Sequence, residues 1–230
     1  MNMKRLDLKN IALIGRTFVE YERMFNLREH ELKQEKILDV ASGVSSFSAE
    51  AKARGFSAWG SDQIYELDWF DIERKCKEDL AMVLEKLPDV NDMYRWDFYK
   101  DIFDLKRYRE EAYKKFVADF KIRGNSVYFP TFYPKTNFLD KEFTLALVSH
   151  FLFLYDDLLD YDFHRRTLLE LIRVTSKEIR IFPVVNLGGK RSDFVEQLIK
   201  DESFRNVKFS IHKVAFEFLK NANEYLLLKI

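Results

Sequence analysis

The chain has 230 residues, of which 47% are hydrophobic, and its 38 basic residues balance its 38 acidic ones. This length and composition predict one folded domain with a large core and argue against a disordered chain. Zero formal net charge disfavours a protein that grips a long nucleic-acid backbone, although a local basic patch stays open.

The N-terminus, residues 1–10, has a basic start without the apolar stretch of a signal peptide. The most apolar run, residues 143–155, is too short to cross a bilayer and contains Ser149 and His150. We therefore expect a cytoplasmic protein without membrane contact.

Apolar patterns in the first half predict a helical element at 11–27, a strand at 36–40, a helix at 47–54 ended by Gly55, and a strand at 56–61. Helical spacing then continues over residues 64–122, interrupted at Pro88. Because this helical segment is longer than the crossover between two parallel strands requires, we expect part of it to be an insertion that covers the sheet edge or a cleft. Cys76, the single cysteine, lies in the apolar pattern and is predicted to be a core residue, so no disulfide is expected.

Strands are predicted in the second half at 126–129, 144–149 and 178–182, with helices at 163–175 and 193–200. Ser192 is the expected N-cap of the last helix. Apolar residues alternate with polar ones from Val207, and the parity changes near residues 212–213, which predicts a bulge or bend. A turn at 221–223 leads to a final strand at 225–230. The chain therefore ends in a hairpin, which would add an antiparallel strand to a parallel sheet.

The most informative stretch is residues 36–62, KILDVASGVSSFSAEAKARGFSAWGSD, which is typical of the first half of a nucleotide-binding βαβ unit. Asp39 closes the first strand just before a turn of small residues, which let a ligand approach the backbone and the helix N-terminus. Asp62 lies 19 residues after Gly43, close to the spacing of about 20 expected for an acid that accepts hydrogen bonds from ribose. A G-x-G-x-x-G pattern is absent, so a nicotinamide enzyme is the weakest of the alternatives.

These motifs resemble those of the class I S-adenosylmethionine (SAM)-dependent methyltransferases. ILDVASGVSSF resembles their motif I, SDQIY their second-strand acid motif, and LDKEFTLALVSHFLFLY their fourth-strand segment, while the last hairpin is similar to the one that contains their seventh strand. LIGRTFVEYERMF resembles the lead-in helix of an uncharacterised bacterial group of such proteins. The resemblance covers residues 36–62 and 126–230.

The resemblance implies an α/β fold, a Rossmann-like three-layer sandwich with a seven-stranded mixed sheet ending in an antiparallel hairpin. One domain would span residues 1–230, with the helical cover at 64–122 inside it. SAM would be the cofactor. Ala41 and Ser45 replace the first and third glycines of the family's turn, and their Cβ atoms predict a turn without strongly positive φ angles at these positions.

The resemblance also implies the roles of individual residues. Asp39 would orient the turn or meet the amino-acid end of SAM, Asp62 would hold the ribose, and Arg16 would reach the SAM carboxylate. The other implied cofactor contacts are Ala41, Ser42, Gly43 and Ser45 in the turn, Gln63 beside the adenine, and Ser149, His150 and Phe151 near the reacting methyl group. The catalytic residues stay unassigned, with His150 as the candidate; the alternative is a core or capping histidine.

Other polar residues have simpler interpretations. His164 is predicted to be a helix-start residue bonded to Asp160 or Asp162, and His30 and His212 to be surface residues. The acidic cluster at 156–162 is predicted to be a solvated loop that caps a helix, with a cationic-substrate site or a metal site as alternatives. No pair of histidines has metal-site spacing, so no metal is expected.

The predicted activity is methyl transfer from SAM to an acceptor, with a small molecule favoured over nucleic acid or protein. An N/D-P-P-Y motif is absent after the fourth strand, which disfavours base amino groups as acceptors. Two alternatives stay open: an RNA or protein methyltransferase docked through the helical cover, and an inactive SAM-binding regulatory protein on the same fold. The oligomeric state is open.

Overall fold

The computed structural model describes residues 11–230. The prediction about a signal peptide concerns residues 1–10 and lies outside the described residues. The helices are α1 (Phe18–Phe25), α2 (Glu29–Leu32), α3 (Phe47–Ala53), α4 (Trp69–Lys86), α5 (Ile102–Arg123), α6 (Tyr161–Val174) and α7 (Asp193–Lys200). The strands are β1 (Lys36–Val40), β2 (Ser57–Asp62), β3 (Tyr128–Pro130), β4 (Phe143–Ser149), β5 (Thr175–Phe182), β6 (Lys208–Lys213) and β7 (Glu224–Lys229).

These strands form one seven-stranded sheet in the order β3-β2-β1-β4-β5-β7-β6. The first five strands in this order pair in parallel, and β7 pairs antiparallel with both β5 and β6. The predicted Rossmann-like mixed sheet with a terminal antiparallel hairpin is therefore confirmed. The strand order reverses between β1 and β4, and open α/β sheets bind ligands at such a switch point.

Helices cover both faces of the sheet because successive residues of the central strands point to opposite sides. On one face Leu145 and Leu147 pack in a cluster with Phe18 and Phe47 of α1 and α3. On the other face Ala146 and Val148 pack in a cluster with leucines of α6 and α7. Strand β4 is buried along most of its length, as its nearly continuous apolar sequence predicts.

Element boundaries differ from prediction in the second half. Strand β3 begins at Tyr128 because Gly124–Ser126 form a 3₁₀ turn, in which Val127 N–H donates to Gly124 O at 3.1 Å. Strand β5 begins at Thr175, directly after α6, where buried Thr175 fits both the helical and the strand pattern. Ser192 does cap α7, since its side chain accepts from Phe194 N–H.

The predicted bulge at residues 212–213 is wrong. Strand β6 pairs with β7 in unbroken register and ends at Lys213. Residues 214–223 then leave the sheet and contact the segment before α5: Arg95 N–H donates to Phe218 O at 2.7 Å, and Lys220 N–H to Met93 O at 2.9 Å. The alternation of Val214, Phe216 and Phe218 therefore marks a loop packed on the core, because a loop with one buried side has the same pattern as a strand.

Helices α4 and α5 occupy most of the predicted cover at 64–122 and pack against each other. The division into one domain with an inserted cover stays a prediction. Among residues 11–230, none of the helices combines the length and the apolar content that crossing a membrane requires. The cytoplasmic location also stays a prediction.

Candidate functional site

A cavity of about 600 Å³ lies at the carboxyl ends of β1, β2, β4 and β5. This is the edge at which the strand order reverses. The lining includes every predicted site residue except Asp39: Arg16, Ala41, Ser42, Gly43, Ser45, Asp62, Gln63, Ser149, His150 and Phe151. Asp39 is fully buried behind this surface.

The turn after β1 departs from the prediction at one residue. Gly43 has φ +52°, and Ala41 has φ +48°, so the expectation that Ala41 avoids positive φ is wrong. Two backbone hydrogen bonds close the turn around it: Ser42 N–H donates to Ser61 O at 3.1 Å, and Ser45 N–H to Ser42 O at 3.0 Å. These bonds hold Ala41 in a left-handed conformation that costs an L-residue about 1–2 kcal/mol.

The N-terminal segment crosses directly over this turn. A Cβ on Gly15 would lie 2.3 Å from the carbonyl oxygen of Val44, so only glycine fits there. The next residue, Arg16, accepts hydrogen bonds at its carbonyl from Ser46 N–H at 3.0 Å and from the Ser45 hydroxyl at 2.9 Å. No local sequence pattern indicates this role of Gly15, since a glycine before a helix is an ordinary turn signal that does not point to Val44.

Asp62 joins the end of β2 to the turn. Its Oδ2 accepts from Gly43 N–H at 2.9 Å, and its Oδ1 accepts from Ile64 N–H at 3.0 Å. Burial raises the pKa of Asp62, although the N–H groups of Ile64 and Gly43 oppose the rise. The N–H groups of Gly43, Ile64 and Gln63 use three of the about four lone-pair positions of this carboxylate, so one remains for a ligand.

A row of polar side chains leads from Asp39 to His150. Tyr21 donates its hydroxyl to Asp39 Oδ1 at 2.8 Å, and the nearby Ser45 and Ser149 side chains partly offset the rise that burial causes in the Tyr21 pKa. Ser149 Oγ lies 3.0 Å from His150 Nδ1. The other Asp39 oxygen, Oδ2, is buried without a hydrogen-bond partner among the described residues. Tyr21 therefore stands between the buried acid and the cavity.

His150 is held rigidly at the end of β4. It has φ +51°, donates its N–H to Phe182 O at 2.7 Å, and packs its ring against that of Phe182. Burial lowers its pKa well below the usual value, and the guanidinium groups of Arg16 and Arg109 lower it further. The imidazole is therefore neutral near pH 7. Its Nε2 is free to accept a proton in the tautomer in which Nδ1–H donates to Ser149 Oγ, and it is a donor in the other tautomer.

Two guanidinium groups share one buried carboxylate beside the cavity. Arg109 Nη1 donates to Glu20 Oε1 at 2.6 Å and to Gly15 O at 3.1 Å, and its Nη2 donates to Tyr99. Arg16 Nε lies 3.7 Å from the same Glu20 oxygen. Burial opposes ionisation of Glu20, yet Arg109 and Arg16 hold its pKa below the usual value. Glu20 and Arg109 were not predicted as site residues, because they are far apart in the chain and belong to no motif.

His164, Asp160 and Cys76 lie outside the cavity lining. His164 is buried, and its Nδ1 lies 2.8 Å from the carbonyl oxygen of Asp160, which agrees with the predicted helix-start role. Asp160 caps α6 by accepting from Phe163 N–H at 2.8 Å. Cys76 is a buried core residue, as predicted. Within residues 11–230, no group of three or more histidine, cysteine, aspartate or glutamate side chains is arranged to hold a metal ion.

The strand order and the cavity at its switch point define a Rossmann-like α/β protein with a ligand site at the carboxyl edge of the sheet. The chain is 45% identical over 228 residues to the uncharacterized protein MJ0045 of Methanocaldococcus jannaschii, and the match covers 99% of this chain and 100% of that protein. The chain therefore belongs to the same family as that archaeal protein. A bacterial origin of the group stays a prediction. No protein-family model matches the chain.

Several solved structures are similar to this one at low sequence identity. The PH0226 protein of Pyrococcus horikoshii is 15% identical with a TM-score of 0.49, and the match covers 92% of this chain and 89% of that one. A SAM-dependent methyltransferase of Methanosarcina mazei is 11% identical with a TM-score of 0.44, covering 87% and 95%. One from Archaeoglobus fulgidus is 13% identical with a TM-score of 0.41, covering 93% and 99%. The fold assignment rests on the strand order itself.

Proposed function

We propose that the protein binds SAM at the carboxyl edge of its sheet and transfers the methyl group to a small-molecule acceptor. The observation that carries this proposal is the position of the Asp62 carboxylate. It closes β2, borders the cavity, and is hydrogen bonded to Gly43 in the turn after β1. An acid in this position, beside a turn that a ligand can approach closely, suits a ribose.

The neighbouring residues fit the other parts of SAM. Gly43 and Ser42 would lie along the methionine moiety, and Gln63 with Ile64 beside the adenine. A Cβ on Gly43 would lie 3.6 Å from Leu13 and 4.0 Å from Asp62 Oδ2, so a side chain there would narrow the space next to the ribose acid. Arg16, which borders the cavity, would meet the SAM carboxylate.

When bound, SAM supplies a methyl group on a positively charged sulfur, so the protein's task is alignment and exclusion of water. His150 would serve as the base for an acceptor that arrives protonated, because its neutral imidazole presents Nε2 while Ser149 fixes Nδ1. Tyr21 and Ser149 would be positioning residues that connect this imidazole to Asp39.

The shape of the cavity supports a small-molecule acceptor. Its volume of about 600 Å³ lies in the range of roughly 300–1,000 Å³ that is usual for small-ligand sites. The cavity is covered by residues 11–16 and by Phe216, Phe218 and Leu219 of the loop before β7. A folded RNA or protein would reach the reacting group only through this cover.

The proposal is tested by thermal melting with SAM, S-adenosylhomocysteine or NAD. A ligand at about 100 times its Kd adds about 2.7 kcal/mol, or roughly 5–11 °C for a chain of this length. We expect this shift with SAM and S-adenosylhomocysteine and none with NAD. Absence of a shift with both sulfur compounds at millimolar concentration would refute SAM binding.

Asp62→Asn tests the ribose contact, with Glu66→Gln as the matched control. Glu66 borders the same end of the cavity, and its substitution removes the same charge without touching the turn. We expect Asp62→Asn to abolish the S-adenosylhomocysteine shift and Glu66→Gln to retain it. Equal losses in the two variants would mean that overall charge, and not the ribose contact, governs binding.

A further inference from the structure

The half of the cavity away from β2 has an aromatic wall. The side chains of six residues line it: Tyr94, Tyr99, Tyr155, Phe182, Phe216 and Phe218. Five of them are joined by ring contacts, with ring centroids 4.7 Å apart for Tyr94 and Phe218 and 4.8 Å apart for Tyr99 and Phe218, and Tyr155 packs in the same cluster as Tyr94. We call this region the aromatic half. Tyr94 and Phe218 are the partly exposed rings of this set, the others being buried behind them, and exposed ring surface suits a flat, apolar molecule.

Charge is distributed unevenly along the cavity. Among the described lining residues the acids are Asp62 and Glu66, which both lie at the β2 end. Arg16 and Arg109 line the other end, and Glu20 is the carboxylate that they share. Two guanidinium groups against one carboxylate leave a net positive charge beside the aromatic half.

Arg16 lies beside Tyr99 of the aromatic half, since its Nε is 3.7 Å from Glu20 Oε1, the atom to which the Tyr99 hydroxyl also donates. Burial raises the pKa of Tyr94 and of Tyr155 to about 12, and the Arg16 guanidinium opposes the rise in both. The same guanidinium lowers the pKa of His150. Arg16 is therefore close to the rings of the aromatic half and to the proposed base at once.

Cofactor binding would add to this positive charge, a step that rests on the proposed function. SAM is a net cation at neutral pH, since its sulfonium and ammonium groups outweigh its carboxylate. Over the whole lining, Asp62 and Glu66 would balance this charge, but both acids lie at the β2 end, so the positive charge would remain uncompensated in the half that holds Arg16 and Arg109. An anion in the remaining space would compensate for it, because an unpaired charge is costly in a buried site.

We propose that the acceptor is a small anionic molecule with a flat, apolar body, bound in the aromatic half with its carboxylate toward Arg16 and its nucleophilic atom toward His150. The acceptor's lone pair forms the new bond to the methyl carbon as the carbon–sulfur bond breaks. The electron pair of that bond stays on sulfur, which becomes a neutral thioether. A proton on the nucleophile passes to His150 Nε2.

The acceptor's negative charge would also assist this proton transfer. Arg16 and Arg109 depress the pKa of His150, so a carboxylate near Arg16 offsets part of their effect and makes the imidazole a better base. A neutral or cationic acceptor would leave His150 a weak base.

The proposal is tested by calorimetric titration, which compares the affinities of aromatic carboxylic acids with those of their neutral amides. The probes are 4-hydroxybenzoate against 4-hydroxybenzamide, phenylacetate against phenylacetamide, and indole-3-acetate against its amide, with tyramine as a cation. Each is titrated into protein saturated with sinefungin, an unreactive SAM analogue that carries an ammonium group in place of the sulfonium, and into protein saturated with neutral S-adenosylhomocysteine. We expect at least one acid to bind 10-fold or more tightly than its amide, roughly the effect of one charged hydrogen bond, and the difference to be larger with sinefungin.

Equal or tighter binding of the amides or of tyramine, or no binding of any acid, would overturn the proposal while cofactor binding stands. If neither sinefungin nor S-adenosylhomocysteine binds, the proposed function fails and the acceptor proposal falls with it. Arg16→Gln should abolish the preference for acids and Arg16→Lys should keep part of it; an unchanged preference in Arg16→Gln would refute the assignment to Arg16. Lys75→Gln is the matched control, since Lys75 borders the cavity but is paired with Asp79, and it should leave the preference unchanged.

Discussion

Replacing Ala41 by glycine should stabilise the protein, against the usual effect of adding a glycine. Ala41 has φ +48° in the turn after β1, a conformation that glycine adopts without steric cost. Relief of the left-handed conformation is worth about 1–2 kcal/mol. The greater conformational freedom of glycine in the unfolded chain reduces this gain in free energy of unfolding by roughly 0.4–1 kcal/mol. The net gain in free energy of unfolding is therefore about 1 kcal/mol.

The assay is thermal unfolding, with Ala49→Gly as the matched control. Ala49 lies within helix α3, where glycine costs about 1 kcal/mol relative to alanine. For a chain of this length, 1 kcal/mol changes Tm by roughly 2–4 °C. The same chemical substitution should thus raise Tm at residue 41 and lower it at residue 49.

Two results would contradict this reasoning. If Ala41→Gly lowers Tm as much as Ala49→Gly does, the left-handed turn at Ala41 is wrong. If Ala41→Gly stabilises the protein but abolishes the S-adenosylhomocysteine shift, the Cβ of Ala41 contributes to the ligand contact, which would explain why alanine stands where a glycine fits the backbone better.

Three further predictions concern the turn and the charged side chains. Gly15→Ala should lower the free energy of unfolding by about 3 kcal/mol, because the added Cβ would lie 2.3 Å from the Val44 carbonyl oxygen. Gly55→Ala is the control: its Cβ would meet open space, so the loss should be about 1 kcal/mol, from the positive φ alone. Urea unfolding measures both losses. The affinity for S-adenosylhomocysteine should fall on acidification, starting above the usual aspartate range, because burial raises the pKa of Asp62 and the ribose contact needs the carboxylate. Titration calorimetry should show the same fall in the parent and in the Glu66→Gln control, since both retain Asp62. Arg173 and Thr136 lower the pKa of Glu170 to about 2, so its stabilisation is present above pH 4.5 and is lost as the pH falls toward 2. Glu170→Gln should therefore cost about 1 kcal/mol at pH 7, as expected for a pair near the surface, and the difference in urea midpoint should shrink between pH 5 and pH 3.

The parts of the fold that local patterns encode were predictable. Strand β4 shows as a nearly unbroken apolar run, and Gly55 ends α3 with φ +84°. The hairpin of β6 and β7 was expected, but the bulge at its base was not found, because residues 214–223 alternate for a different reason. They form a loop that is buried on one side against the segment before α5. Alternation reports burial on one side and does not by itself distinguish a strand from such a loop.

The candidate site likewise has one half that local sequence patterns predict and one half that they do not. Residues of the β1–β2 unit were predictable because they lie within one short stretch with a recognisable spacing, and Asp62 does approach Gly43. The charge in the other half of the cavity was not predictable. It arises from Arg16, Glu20 and Arg109, and the last two are 89 residues apart in the chain. No local pattern indicates that a residue in α5 shares its counter-ion with the segment that precedes α1. Only the packing of α5 beside Gly15 brings them together.

The two acids that end β1 and β2 are suited to different tasks. Burial raises the pKa of Asp39 well above its usual value, Tyr21 opposes the rise by donating a hydrogen bond, and the nearby Asp62 adds to it. Asp62 is closer to the cavity and accepts from two backbone N–H groups, which favour its charged form. Two buried carboxylates that interact in this way ionise unequally, and the backbone N–H groups favour the charge on Asp62 over Asp39. Asp62 would then be the acid that meets a ribose, and Asp39, screened from the cavity by Tyr21, would orient the turn and the row of polar side chains that leads to His150. Of the two roles that the sequence left open for Asp39, this geometry favours orientation of the turn over contact with the cofactor.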